Sequence, residues 1–124
     1  MAGTIVADTL THSTAGSIAT NYVVNGSAKS WMYYKQNITA ISDSFNTSSA
    51  TDTGTGNYLQ NYTNSFDASY DGRAMSGSSF ISDKIITHGL TGATTGAQQF
   101  NVYDIGSAAL DDSFSSVVTH GDLA

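Results

Sequence analysis

From residue 28 onward the sequence is divided into short runs in which apolar and polar residues alternate, separated by clusters of Gly, Asn, Asp and Ser. A period of two places successive side chains on opposite faces of a strand, and such clusters are typical of turns. The spacing leaves no room for the helices that would connect parallel strands. The sequence therefore predicts an all-β fold, an antiparallel β-sandwich of about seven strands. The runs span residues 29–35, 38–45, 57–62, 72–80, 83–90, 97–105 and 114–120.

Two glycine-rich stretches of the same region are predicted to be turns. They span residues 51–57 and 91–96, and the first contains Gly54 and Gly56. Glycine takes a positive φ at little steric cost, which is what tight turns require.

The alternation also predicts which side chains face the core. Phe100 and Val102 lie on one face of their strand, and Asn101 and Tyr103 lie on the other. The run from Trp31 to Tyr34 is apolar on both faces, which indicates that both faces are covered or adhesive.

Four aromatic residues in predicted strands have two interpretations. They either fill the core and a subunit interface or present a glycan-binding face, since aromatic rings serve both purposes. We favour core and interface, with glycan binding as the alternative. The four residues are Trp31, Tyr33, Tyr34 and Tyr103.

The first 25 residues differ from the rest and are predicted to form an extended arm. Small apolar residues occur there at loose intervals with no helical period, and large side chains are too few for a separate core. We expect two parts, an arm at residues 1–25 and a sandwich at residues 26–124. The arm is either a frayed terminus or an attachment segment that docks through Ile5, Val6, Leu10 and Ile18.

Composition excludes several classes of partner. Ten Asp residues outweigh four Lys and Arg, and the net charge of −6 leaves no basic stripe for nucleic acid. No apolar run approaches the roughly 20 residues that span a bilayer. The first ten residues lack the basic and apolar regions of a signal peptide, so we expect none. There is no Cys for a disulfide or a thiolate metal site.

Candidate catalytic and metal-binding residues lack the spacing that chemistry requires. The three His residues form no pair with ligand spacing, although a His near a trimer axis would be present three times. The Asp clusters lie in turn-like settings, where Asp bonds its own backbone. We therefore expect no enzyme, no cofactor and no metal, with calcium at the second Asp cluster as the weaker alternative. The residues weighed are His12, His88, His120, the pair Asp67 and Asp71, and the group Asp104, Asp111 and Asp112.

One stretch resembles a known family. The string Ala28-Lys-Ser-Trp31, followed by Asp43-Ser-Phe-Asn-Thr-Ser-Ser-Ala-Thr-Asp-Thr-Gly-Thr-Gly-Asn-Tyr58, is similar to a domain of phage tail-fibre and virion-surface proteins. The segments 61–64 and 70–74 stand where members have further motifs, but Tyr62 and Asp71-Gly72 depart from the family pattern. The resemblance implies an exposed position on a bacteriophage particle and homotrimeric packing.

Together these features predict a structural protein of the virion surface, made in the host cytoplasm. It would be a capsid decoration, knob or short fibre anchored to capsid or tail proteins by its arm. The alternative is a tail-fibre module that recognises host surface glycans. A third hypothesis, polysaccharide depolymerisation, rests on the Asp clusters alone.

Overall fold

The computed structural model describes residues 3–69, 73–80, 83–106, 108–109 and 114–124. The described residues form ten strands and one α-helix, with a single 3-10 turn at Gln36–Ile38. The elements in chain order are β1 (Thr9–His12), β2 (Gly16–Ala19), α1 (Thr20–Gly26), β3 (Ser30–Lys35), β4 (Ala40–Phe45), β5 (Thr47–Gly54), β6 (Asn57–Tyr62), β7 (Ala74–Ser79), β8 (Lys84–Thr94), β9 (Ala97–Asp104) and β10 (Ser115–His120).

Eight of these strands form two four-stranded sheets in the described part of the chain. The first sheet has the order β4-β3-β10-β7 and the second has the order β5-β6-β9-β8. Every strand pair is antiparallel. The prediction of an all-β antiparallel fold is thus confirmed, with eight strands in the two sheets.

The hydrophobic core lies between the two sheets. Met32, Tyr34 and Val117 of the first sheet contact a set from the second sheet, and all are at most 1% exposed. Tyr34 meets Tyr58 and Phe100 edge-on, with ring centroids 5.4 and 6.3 Å apart. The predicted alternation is confirmed in β3, and in β9 from Phe100 to Tyr103, where the inward residues are buried and the outward ones are half-buried. Nearer the start of β9, Ala97 and Gln99 are buried as well. The second sheet contributes Tyr58, Phe100 and Val102.

The chain passes from one sheet to the other at Asn46, between β4 and β5. Asn46 has a φ of 53°, in the left-handed region that Asn tolerates better than most residues. Its side-chain amide donates to the carbonyls of Lys29 and Asn64, each at 3.1 Å. Its side-chain oxygen accepts from the backbone N–H of Asn64 at 2.7 Å. One asparagine therefore fixes the crossing between the sheets.

Two predicted turns are shorter than the sequence indicated. Residues 51–54 belong to β5, and residues 91–94 belong to β8. The first turn contains the expected glycines, with φ of 137° at Gly54 and 69° at Gly56, and the Asp52 carboxylate accepts from the Gly54 N–H at 2.9 Å. The hydroxyl-rich composition of β5 led to this error.

The structure of the N-terminal segment also differs from the prediction. Residues predicted to be extended form a two-stranded hairpin of β1 and β2, followed by the seven-residue helix α1. The helix has no buried residue and no side-chain cap. The helix therefore lacks the packing that stabilises the sandwich. A helix and a hairpin this short are only marginally stable on their own.

Candidate functional site

The outer surface of the first sheet carries aromatic side chains, some exposed and some half-buried. Trp31 and Tyr33 point outward because they alternate with the buried Met32 and Tyr34 on β3. Phe45 of β4 lies directly opposite Trp31 in the register and is 54% exposed. We call the surface formed by Trp31, Tyr33, Phe45, Phe80 and Phe114 the outer aromatic face.

Three of these rings pack against one another. The Tyr33 centroid lies 5.4 Å from that of Phe80, edge-on, and 5.7 Å from that of Phe114, stacked. Phe80 and Phe114 are 6.2 Å apart. Even so, Phe80 remains 67% exposed. The sheet therefore presents a preformed apolar surface to its surroundings.

Polar groups border these rings. Asp43 is the cross-strand partner of Tyr33, and the Lys35 ammonium lies 5.7 Å from the Phe114 centroid. The hydroxyls of Ser78 and Ser116 are 3.0 Å apart on the neighbouring strands. An exposed apolar patch with a polar rim is typical of a protein-binding or ligand-binding surface.

The structure brings together only two of the four aromatic residues proposed from the sequence. Trp31 and Tyr33 share the outer aromatic face. Tyr34 is fully buried in the core, as the favoured interpretation expects, and is not available to a partner or glycan in this protomer. Tyr103 lies on the outer surface of the second sheet, paired with Ile85.

Three members of the outer aromatic face were missed in the sequence. Phe45, Phe80 and Phe114 lie at or just beyond the ends of three different strands. Phe45 falls within a predicted alternating run, but its place opposite Trp31 depends on the register between strands. Register cannot be obtained from the alternation of one strand.

The proposed attachment residues lie on the surface of the N-terminal segment. Ile5 and Val6 are 89% and 93% exposed, and Leu10 and Ile18 are each 46% exposed and lie opposite each other in the hairpin. An apolar cleft of about 470 Å³ lies between three of them, Ile5, Val6 and Leu10, and α1. The cleft is lined by Ile5, Val6, Ala7, Leu10, Thr20, Val23 and Val24.

The titratable residues considered for chemistry do not converge. In the described residues, no group of three His, Cys, Asp or Glu side chains is placed to hold a metal ion. Asp104 forms an ion pair with Lys84 at 3.4 Å, and Asp67 is exposed. The side chain of His12 and the residues Asp71, Asp111 and Asp112 lie outside the described part.

The pKa of His88 is lowered from its ordinary value. The main cause is burial, which disfavours the imidazolium; a side-chain hydrogen bond with Gln98 opposes it, and the charge of Arg73 adds to it. His88 lies opposite Phe100 in the register, so it belongs to the interior of the sandwich.

The fold and the face define a small antiparallel β-sandwich with an aromatic outer surface. Comparison with protein-family models, with curated proteins and with solved structures found no match. No helix among the described residues is both long and apolar enough to cross a bilayer. The family resemblance of residues 28–74 stays a prediction.

Proposed function

We propose that this protein is a non-catalytic structural subunit on the outside of a bacteriophage particle, a capsid decoration, knob or short fibre. In this proposal it assembles as a homotrimer through the outer aromatic face and is anchored by its N-terminal segment. The observation that carries the proposal is the outer aromatic face, a preformed apolar surface. The phage assignment is supported by the resemblance over residues 28–74.

The chemistry of the face favours a protein partner. Phe45 and Phe80 are its most exposed rings, and phenylalanine has no polar group to bond a sugar hydroxyl. Aromatic residues are enriched in the cores of protein interfaces, where rigid rings bury a large area at low entropic cost. Asp43 and Lys35 provide charges of both signs at the rim, which suits contact with a second copy.

The size of the face indicates that a second surface contributes to assembly. Four strands of about six residues span roughly 20 Å by 20 Å. Stable interfaces bury about 800 Å² on each partner, about twice that projected area. The exposed apolar side chains of the N-terminal segment offer the additional area. The outer aromatic face is therefore assigned to contacts between copies, and the N-terminal segment to anchoring on the particle.

The resemblance is consistent with a shared fold. The matched string runs along β4, β5 and β6 and contains Asn46 at the sheet crossing and Gly54 and Gly56 in the hairpin turn. These residues determine the backbone path, and the matched strings also contain Trp31 and Phe45 of the outer aromatic face. Two of the five members of the face, Phe80 and Phe114, lie beyond residues 28–74.

Sedimentation equilibrium of the full chain tests the assembly. We expect the mass of a trimer of three 12.9 kDa chains. Phe80→Ser should give a monomer with an unchanged circular dichroism spectrum, because Phe80 is mostly exposed in the protomer. Tyr103→Ser on the opposite sheet is the matched control and should remain a trimer. A monomeric wild-type chain, or a trimeric Phe80→Ser, would contradict the proposal.

A double variant tests the anchor. Ile5→Asp with Val6→Asp places charge on two almost fully exposed side chains, so the fold should be retained. Particles produced with this chain should lack the protein in mass spectrometry. The matched control is Thr4→Asp with Ser13→Asp, which charges two exposed polar residues of the same segment and should be incorporated normally. Normal incorporation of the first variant would refute anchoring by this segment.

Recognition of host surface glycans is the second candidate function. It is favoured by the outward placement of Trp31 and Tyr33, spaced about 7 Å along β3 beside the Asp43 carboxylate. The purified protein should then adsorb to host cells, and Trp31→Ala should abolish adsorption without changing the sedimentation mass. If the protein adsorbs to no host cell, the structural role is preferred.

A further inference from the structure

The second sheet has a cleft on its outer surface, opposite the outer aromatic face. It has a volume of about 330 Å³ and lies where β5, β6 and β9 meet the far part of β8. This is the lower end of the range of about 300–1,000 Å³ for small-molecule sites. We call it the amide cleft; its lining residues are Thr53, Asn57, Leu59, Thr91, Gly92 and Gln99.

Glycines of β8 shape the amide cleft. Gly92 has a φ of 78°, and a Cβ there would lie 3.2 Å from a methyl carbon of Leu59. At Gly89 a Cβ would lie 2.7 Å from Cγ of Gln99 and 2.9 Å from the side-chain oxygen of Asn101. The bare backbone of β8 therefore lets the two amide side chains lie against it. Substitution at either glycine would displace a lining group.

The amide groups are held in fixed orientations. Gln99 is 8% exposed, and its Nε2 donates to Oδ1 of Asn101 at 2.8 Å. Nδ2 of Asn57 donates to the Thr55 carbonyl at 2.8 Å. Within the described residues, Oε1 of Gln99, Nδ2 of Asn101 and Oδ1 of Asn57 have no hydrogen-bond partner. The cleft and its margin thus offer two acceptors and a donor that are already oriented.

The remaining lining adds a hydroxyl and an apolar wall. Thr91 is exposed, and its hydroxyl makes no hydrogen bond to another described residue. The side chain of Leu59 supplies the apolar surface, and the hydroxyl of Thr53 is oriented by donating to the Asn57 carbonyl at 3.0 Å. None of the lining residues is charged.

We propose that the amide cleft binds a neutral saccharide of one to three rings. Sugar hydroxyls donate and accept in turn, which matches neutral amides and a threonine hydroxyl. The C–H face of a sugar ring matches Leu59. A phosphate or carboxylate ligand would lack a cation in this lining, and a metal ion would lack a carboxylate. The proposal is independent of the virion-surface role.

A titration of the full-length, ¹⁵N-labelled chain tests the proposal. The probes are neutral trisaccharides of glucose, galactose and mannose, with trigalacturonate as the acidic comparison. At least one neutral probe should shift the side-chain amide signals of Asn57, Gln99 and Asn101. We expect a millimolar dissociation constant, about 4 kcal/mol of binding free energy, because no aromatic ring lines the cleft. Trigalacturonate should bind at least about tenfold more weakly.

Two variants identify the site. Gln99→Glu keeps the shape and introduces a charge, and should weaken binding of the neutral probe about tenfold or more. Thr91→Val removes only an exposed hydroxyl, so it should fold normally and weaken binding several-fold. Thr63→Val is the matched control, since Thr63 is exposed outside the cleft, and it should bind as the wild type does.

Three results would overturn the proposal. The first is the absence of any shift with neutral probes at about 20 mM, well above the expected constant. The second is unchanged binding in both Gln99→Glu and Thr91→Val. The third is a set of shifts confined to the outer aromatic face, which would support glycan binding there.

Discussion

The side-chain amide of Gln60 on β6 donates to the hydroxyl of Ser30 on β3 at 2.8 Å, across the interior of the sandwich. Both residues are fully buried. The same amide nitrogen lies 2.7 Å from the Thr47 hydroxyl. A hydrogen bond has a preferred distance and angle, so one between named positions restricts how two facing sheets can shift. This contact therefore helps to align the two sheets.

Replacing Gln60 tests this connection. Gln60→Met keeps the volume and removes the amide, so the free energy of unfolding should fall by about 1 kcal/mol. Urea denaturation of Gln60→Met, Ser30→Ala and the double variant measures the coupling. We expect the double variant to lose less free energy of unfolding than the two single variants lose in total. Strict additivity would show that the Gln60–Ser30 contact contributes nothing to stability.

Asn46 gives a second prediction, at the crossing between the sheets. Asn46→Gly loses the three side-chain hydrogen bonds but keeps the positive φ without strain. Asn46→Ala loses the same bonds and also strains the backbone by about 1–2 kcal/mol. The free energy of unfolding should therefore be highest in the wild type, lower in Asn46→Gly and lowest in Asn46→Ala. This reverses the usual preference for Ala over Gly. Equal or greater stability of the Ala variant would contradict this account.

The sequence predicted seven of the eight strands in the two sheets, and the alternation is clearest in those with a buried face. In β3, β6 and β10 every second residue is buried, so alternation is visible in the composition. In β5, an edge strand, Ala50 is half-buried and contacts the core, while most of its neighbours are exposed hydroxyl residues and glycine. The strand is instead stabilised by pairing with β6 and by bonds such as the Ser48 hydroxyl to the Asn61 carbonyl, which sequence periodicity does not reveal.

The N-terminal helix and the aromatic surface were missed for different reasons. The helix α1 contains Val23 and Val24, which have modest helix propensity, and it has neither a capping side chain nor a buried face. The outer aromatic face depends on strand order, which places β10 between β3 and β7, distant in sequence. Trp31 and Tyr33 were identified because both lie on one strand.

Arg73 leads to a third prediction. Its guanidinium carbon lies 5.2 Å from the Phe66 centroid and 5.6 Å from that of Tyr62, and it is 8% exposed. It donates to the carbonyl of Thr94 at 2.8 Å and that of Ala97 at 3.3 Å. Lysine has neither the planar fork nor the stacking surface. Arg73→Lys should therefore cost about 2–3 kcal/mol in urea denaturation.

The control for this exchange is Lys35→Arg at the border of the outer aromatic face. The Lys35 ammonium also lies over an aromatic ring, that of Phe114, but Lys35 is only half-buried. It should change the free energy of unfolding by less than about 0.5 kcal/mol. A loss in Arg73→Lys as small as that of the control would show that charge alone accounts for the role of Arg73.

His88 predicts how stability depends on pH. Burial holds the pKa of this imidazole below 6.5, so the unfolded chain takes up a proton at a higher pH than the folded chain does. The contribution of His88 is therefore fully present above about pH 6.5 and is lost as the pH falls toward the lower folded-state pKa. Between pH 8 and pH 5, the urea midpoint of unfolding should fall more in the wild type than in His88→Gln, whose side chain does not titrate. The other titratable groups are the same in both chains, so the difference isolates His88. Equal pH dependence in the two chains would show that protonating the imidazole costs no more free energy in the folded chain than in the unfolded chain.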